Sequence, residues 1–132
     1  MNLNMISMNL TVHTYDIDIA GHVNNIVYIR WLEELRNKLL NKSFNFRKIV
    51  SEKFYPVVIS TNIIYKKQLR IFDEPTGIIE CMGYRHGVIT LNAIIKLKDE
   101  IAAKAEQKCV VVDLRNSQMI KPKKFRELTN LE

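Results

Sequence analysis

Glycine, proline and cysteine are all sparse in this chain, with 4, 3 and 2 residues respectively among 132. No stretch rich in Gly, Pro or Ser offers a linker, so residues 1–132 read as one domain, long enough to bury a sizeable core. Cys81 and Cys109 form no CxxC pair and sit beside apolar residues, the setting of reduced thiols that behave as small hydrophobes. No apolar run approaches the length that spans a bilayer. The opening Met1–Met8 lacks the basic start and sustained apolar segment of a secretory signal, and the cytoplasm is the expected compartment. The three histidines, His13, His22 and His86, fall in no HxxxH or HExxH pattern and pair with no cysteine at ligand spacing, so no metal site is expected. Nucleic-acid binding lacks a basic helix, a paired-aromatic motif or zinc-finger spacing.

What remains is a chain with 47% hydrophobic residues and a net charge of +6. That balance excludes disorder and points to an anionic partner, such as a phosphorylated small molecule or an acidic carrier protein. Alternation over Met8–Tyr15 predicts a half-buried strand. Asn24 or Asn25 can cap a helix whose apolar residues Val27, Tyr28, Trp31, Leu32, Leu35 and Leu39 recur at steps of three and four. Arg30, Glu34 and Lys38 line its other side, spaced for charge pairs. A polar connection is expected around Asn41–Lys53. Strands follow over Val57–Leu69, Gly77–Tyr84 and Val88–Leu97, rich in β-branched residues and separated by turn residues. A long strand over Glu100–Leu114 completes them, its small alanines facing a close neighbour. Residues 120–132, with Lys121-Pro122-Lys123-Lys124, read as a solvated tail. One strand, one long helix and then consecutive strands predict an α+β domain in which a single antiparallel sheet wraps one helix.

The densest chemistry lies in Asp16-Ile17-Asp18-Ile19-Ala20-Gly21-His22-Val23-Asn24-Asn25. Two carboxylates, an imidazole, a glycine and two carboxamides run straight into the helix. A helix N-terminus presents free backbone N–H groups and the positive end of the helix dipole, which polarise a carbonyl while a nearby carboxylate attacks it. That is equipment for acyl transfer. Asp18 by itself reads equally well as a turn residue satisfying local N–H groups. What favours chemistry is Gly21, which permits close backbone approach, together with the helix start at short range.

Asp-x-Asp-x-x-Gly-His-Val-Asn-Asn-x-x-Tyr followed by Trp-Leu-Glu-x-x-Arg resembles the hotdog-fold acyl-CoA thioesterases of the 4-hydroxybenzoyl-CoA thioesterase type. The likeness continues through Tyr55-Pro56-Val57-Val58, Thr61–Tyr65, Ala102–Asp113 and Lys121-Pro122. The Gly-His-Val-Asn-Asn portion is also similar to the plant acyl-carrier-protein thioesterases, although Ala20 stands where that branch carries a catalytic asparagine. The resemblance implies a hotdog fold, hydrolysis of a thioester without a cofactor, and assembly into a homodimer or homotetramer. It places the catalytic carboxylate at Asp18, as nucleophile or general base. The N–H that polarises the carbonyl falls at Asn25, and His22 matches the histidine of the carrier-protein branch.

The substrate implied is an acyl-CoA or its acyl-carrier-protein counterpart. Gly21 and Asn24 then shape the substrate-facing loop, and Tyr28 and Trp31 are core residues that could also wall an acyl pocket. Lys66, Lys67, Arg70 and Arg85, at strand ends, could meet the phosphates of coenzyme A, although for any single one of them a charged residue guarding a solvated strand edge is the more ordinary arrangement. A non-catalytic module holding an acyl thioester or an acidic partner is the alternative.

Overall fold

The computed structural model describes residues 4–129; Met1–Leu3 at the start and residues 130–132 of the expected tail lie outside this range. Strand β1 (Met5–Asn9) precedes a short 3-10 turn at Thr14–Asp16, and the long helix α1 (Asn25–Ser43) follows. Helix α2 (Phe46–Ser51) leads into β2 (Phe54–Tyr65), β3 (Thr76–Arg85), β4 (Val88–Leu97), β5 (Glu100–Asp113) and the short β6 (Gln118–Met119). Helix α3 (Pro122–Thr129) ends the described chain. The strands form one antiparallel sheet in the order β1-β3-β4-β5-β2, with β6 pairing with β5. The sheet curls around α1 in the hotdog arrangement.

Every apolar residue assigned to the inward stripe of α1 is buried: Val27, Tyr28, Trp31, Leu32, Leu35 and Leu39. They divide between two clusters. Leu32, Leu35 and Leu39 pack with β3, β4 and β5 residues such as Ile79, Leu91 and Cys109, whereas Val27, Tyr28 and Trp31 pack with Leu69, Ile95 and Ala103. Burial at about 25 cal/mol per Å² makes this stripe the main attachment of helix to sheet. At Gly77 the helix comes so close that an added Cβ would lie 2.8 Å from Leu35 Cδ1.

Several expectations are corrected. The first strand ends at Asn9, because the Asp16 carboxylate accepts the His13 N–H at 2.8 Å and folds Thr14–Asp16 into a turn; local side-chain capture wins over alternation. The polar connection over Asn41–Lys53 is largely helical, since Leu40, Phe44 and Ile49 are buried. Strand β2 stops at Tyr65 rather than Leu69, because the Lys66 and Lys67 N–H groups both turn to the Ala102 carbonyl, at 2.8 and 3.0 Å. The expected tail instead forms α3 with Phe125 and Leu128 buried, and the Phe125 ring stacks on Tyr84 with centroids 3.8 Å apart. The long fifth strand matches expectation closely, with Ala102 and Ala103 almost fully buried. No helix is long and apolar enough to cross a membrane among the described residues.

Candidate active site

The loop before α1 is fixed from both ends. On its N-terminal side Asp16 accepts two bonds from Arg30 of α1, and its carbonyl accepts the Asn24 N–H at 2.8 Å. Arg30 is therefore drawn to the loop rather than to Glu34 as its helix spacing suggests. Ile17 and Val23 form an isolated antiparallel bridge, and the Val23 N–H reaches the Leu69 carbonyl at 2.7 Å.

Between these anchors Asp18 organises the tip. Its Oδ1 accepts the Ala20 N–H at 2.9 Å and the His22 N–H at 3.2 Å, and its own N–H donates to the His22 carbonyl at 2.9 Å. Gly21 sits at φ +84°, a left-handed conformation with no steric cost for glycine. Asp18 Oδ2 has no hydrogen-bond partner among the described residues.

Asn24 caps α1, its side-chain oxygen accepting the Ile26 N–H at 3.1 Å. Asn25 is the first helical residue, and its N–H has no acceptor among the described residues. That free donor carries the positive end of a 19-residue helix. Asp18, His22, Asn25 and Tyr28 line one open cleft of about 700 Å³. Its other side is Tyr65 and the segment Lys66, Lys67 and Gln68. The Tyr65 hydroxyl donates to the Asn25 carbonyl at 3.3 Å, and its ring meets Tyr28 edge to face, centroids 5.0 Å apart. Burial, reinforced by Tyr65 and Asp73, pushes the Tyr28 hydroxyl up to about 12, so Tyr28 stays neutral at physiological pH. Lys67 pairs with Glu100 at 3.0 Å.

The cleft therefore gathers Asp18, His22, Asn25, Tyr28 and Lys66 from the residues picked out in the sequence. Gly21 and Asn24 act through the backbone path of the loop. Trp31 is fully buried among core residues, its Nε1 without a hydrogen-bond partner among the described residues, so it supports Tyr28 rather than walling the cleft. Arg85 is placed elsewhere: it pairs with Val88 at the far end of β4. Seven residues of strand, about 23 Å, separate that end from Ile95 beside the cleft. Lys67, also a phosphate candidate in the sequence, lines the cleft too, whereas Tyr65 and Gln68 of the same segment went unrecognised; the trace they leave is an aromatic strand end followed at once by polar residues. No cluster of three or more His, Cys, Asp or Glu side chains that could hold a metal ion occurs among the described residues.

An uncommitted carboxylate oxygen and a helix-start N–H facing one cleft can together activate a nucleophile and polarise a carbonyl. Comparison with known proteins points to thioester hydrolysis. The chain is 25% identical over 113 residues to the long-chain acyl-CoA thioesterase FadM of Escherichia coli, covering 84% of this chain and 86% of that one. The crystal structure of YbaW, a probable thioesterase from Escherichia coli, superposes with a TM-score of 0.84 at 26% identity, covering 92% of this chain and 93% of that one. A DHNA-CoA thioesterase from Staphylococcus aureus shares the fold, with a TM-score of 0.83 at 16% identity over 91% of this chain and 82% of that one. Residues 12–128 match the thioesterase-like superfamily, and the chain belongs to that family.

Proposed function

We propose that this thioester hydrolase cleaves acyl-CoA to a free carboxylic acid and coenzyme A. The observation that carries the reading is the pairing in one cleft of Asp18, whose Oδ2 is uncommitted, with the free N–H of Asn25. In this reading the thioester carbonyl oxygen sits at the Asn25 N–H, where the helix dipole stabilises the charge that develops as the carbonyl carbon becomes tetrahedral. Asp18 acts through Oδ2, either by taking a proton from water or by attacking the carbonyl to form an anhydride that water then opens. Both routes consume one water and release the thiol and the acid. The thiolate leaves readily, so His22 has no need to protonate it and serves the loop. The similarity to the Escherichia coli long-chain acyl-CoA thioesterase supports coenzyme A as the thiol and an aliphatic acyl group. Lys66, at the cleft rim, supplies positive charge for phosphates.

The test is Asp18→Asn. The amide oxygen can still accept the Ala20 and His22 N–H groups, so the loop keeps its shape while the basic oxygen is lost. Turnover of acyl-CoA, followed by release of free thiol, should fall by about 10²–10⁴-fold. Near-full activity in a folded Asp18→Asn protein would remove Asp18 from the mechanism.

A further inference from the structure

The helix-facing side chains of β5 run Ala103, Ala105, Gln107, Cys109 and Val111, and Gln107 breaks an otherwise small and apolar series. It is only 4% exposed. Pairing registers arrange these residues in rows across three strands. Tyr65–Ala103–Ile95 lies beside the cleft, Ile63–Ala105–Ala93 comes next, and Thr61–Gln107–Leu91 is the third. Under Tyr28 and Leu32 of α1, the first two rows form an apolar seam floored by Ile63, Ala93, Ala103 and Ala105 that is closed in this structure, with no free volume inside it. Three alanines opposite Tyr28 leave little side-chain bulk under this part of the helix. Tyr28 belongs to both the seam and the cleft, and its partner ring Tyr65 is 42% exposed, so the mouth can open by a movement of two rings.

The seam ends on a polar crossbar. Arg36, one turn beyond Leu32, donates from Nη1 to Gln107 Oε1 at 2.9 Å, and Gln107 Nε2 donates to Thr61 Oγ1 at 3.1 Å. Past the crossbar lies an enclosed apolar void of about 20 Å³ touching Leu39, Leu40, Cys109, Val111 and Phe125. Gln107 is thus a buried polar group set between two apolar spaces and held on both sides by hydrogen bonds, to half-buried Arg36 and to exposed Thr61. As a barrier it is effective: an alkyl chain pushed through would break these two part-buried hydrogen bonds and leave the buried Gln107 amide unsatisfied.

We infer that the Arg36–Gln107–Thr61 crossbar is the stop that limits acyl-chain length in this enzyme. The inference rests on the acyl-CoA reading above and adds the substrate class. The helix rise from Asn25 to Arg36 is about 16 Å. An extended alkyl chain advancing about 1.3 Å per bond covers that distance with about ten to twelve carbons. Saturated acyl groups up to that length fit, and longer ones meet the crossbar.

Two measurements test it on the intact protein: kcat/KM for saturated acyl-CoAs from four to eighteen carbons, and affinity for the matching S-alkyl-CoA thioethers. The thioethers cannot be hydrolysed, and Trp31, 5.2 Å from the Tyr28 ring, reports their binding by fluorescence. Both quantities should climb with length and break at about ten to twelve carbons. The double variant Arg36→Met/Gln107→Leu removes both partners of the first hydrogen bond together and should raise the sixteen-to-eight-carbon ratio at least about tenfold. Gln107→Glu keeps an acceptor for Arg36 and should keep the break. Ala105→Val fills the seam one row, about 7 Å, nearer the cleft and should shorten the preferred chain by about five carbons, giving a second reading should the double variant misfold. A wild-type profile with no break, or a break that neither the double variant nor Ala105→Val moves, overturns the stop while hydrolysis itself leaves the acyl-CoA reading intact. Thioether binding that breaks and shifts in a protein that cleaves no acyl-CoA supports the stop and overturns the activity.

Discussion

Arg30 grips Asp16 with both of its terminal nitrogens, Nη1 to Oδ1 at 2.8 Å and Nη2 to Oδ2 at 2.9 Å, and so ties the start of the loop before α1 to the second turn of that helix. Asp16 is 2% exposed and also holds the His13 N–H. The Arg30 hydrogen bonds hold its carboxyl below the usual carboxylate range. A carboxylate depressed in this way adds stability that is fully present above its unfolded value near 3.9 and is lost as pH falls through the folded value. Asp16→Asn should therefore cost about 2–3 kcal/mol at neutral pH. Urea unfolding checks it: the gap between wild type and variant should narrow steadily below about pH 4, and a gap independent of pH would contradict the assignment.

His22 contributes its backbone N–H to Asp18, and replacing the side chain leaves that bond in place. His22→Ala should keep the loop and lose less turnover than Asp18→Asn, well short of the roughly 10²-fold expected of a lost acid or base. Steady-state kinetics of the two variants side by side decide it. Equal losses would make the imidazole a direct participant.

Lys66 stands on the cleft rim, whereas its neighbour Lys67 is already engaged by Glu100. If Lys66 meets a phosphate of coenzyme A, Lys66→Ala should raise KM for a CoA thioester and leave KM for the matching pantetheine thioester, which lacks the nucleotide phosphates, nearly unchanged. Added salt should mimic the substitution, since exposed charges are screened over about 8 Å at physiological ionic strength. An identical salt response for both thioesters would assign the charge another task.

The parts of this molecule that could be read in advance are those whose causes are local. Asp18, His22 and Asn25 lie within eight residues and meet because a capped helix follows a glycine turn, all of it written in one stretch. The α1 stripe and the strands declare themselves by period. Helix α3 escaped notice because its three leading residues, Pro122, Lys123 and Lys124, are proline or lysine, and just two positions, Phe125 and Leu128, carry its attachment. Tyr65 joins Asn25 across 40 residues and Gln107 joins Arg36 across 71; such contacts are set by strand register and leave no nearby trace. Arg85 was misplaced for the same reason, since a strand-end cation in the sequence does not reveal which end of the sheet it occupies.

Strands β1 and β2 are the two edges of the sheet path, and β2 is the long one. Tyr55, Val57, Ile59 and Ile64 along it are between 38% and 57% exposed. A long apolar edge with unpaired backbone groups is a template for another strand, and a second copy entering antiparallel satisfies both edges with one two-fold axis. We expect a dimer, or a tetramer built from two such dimers, joined through β2. Tyr65, the last residue of that strand, would then bring each cleft close to the partner subunit. Light scattering at assay concentration should give the mass of two or four chains. Ile59→Lys, which sets a charge against its own copy across the axis, should lower the mass and the activity together. A fully active monomer in the wild-type protein would defeat the proposal.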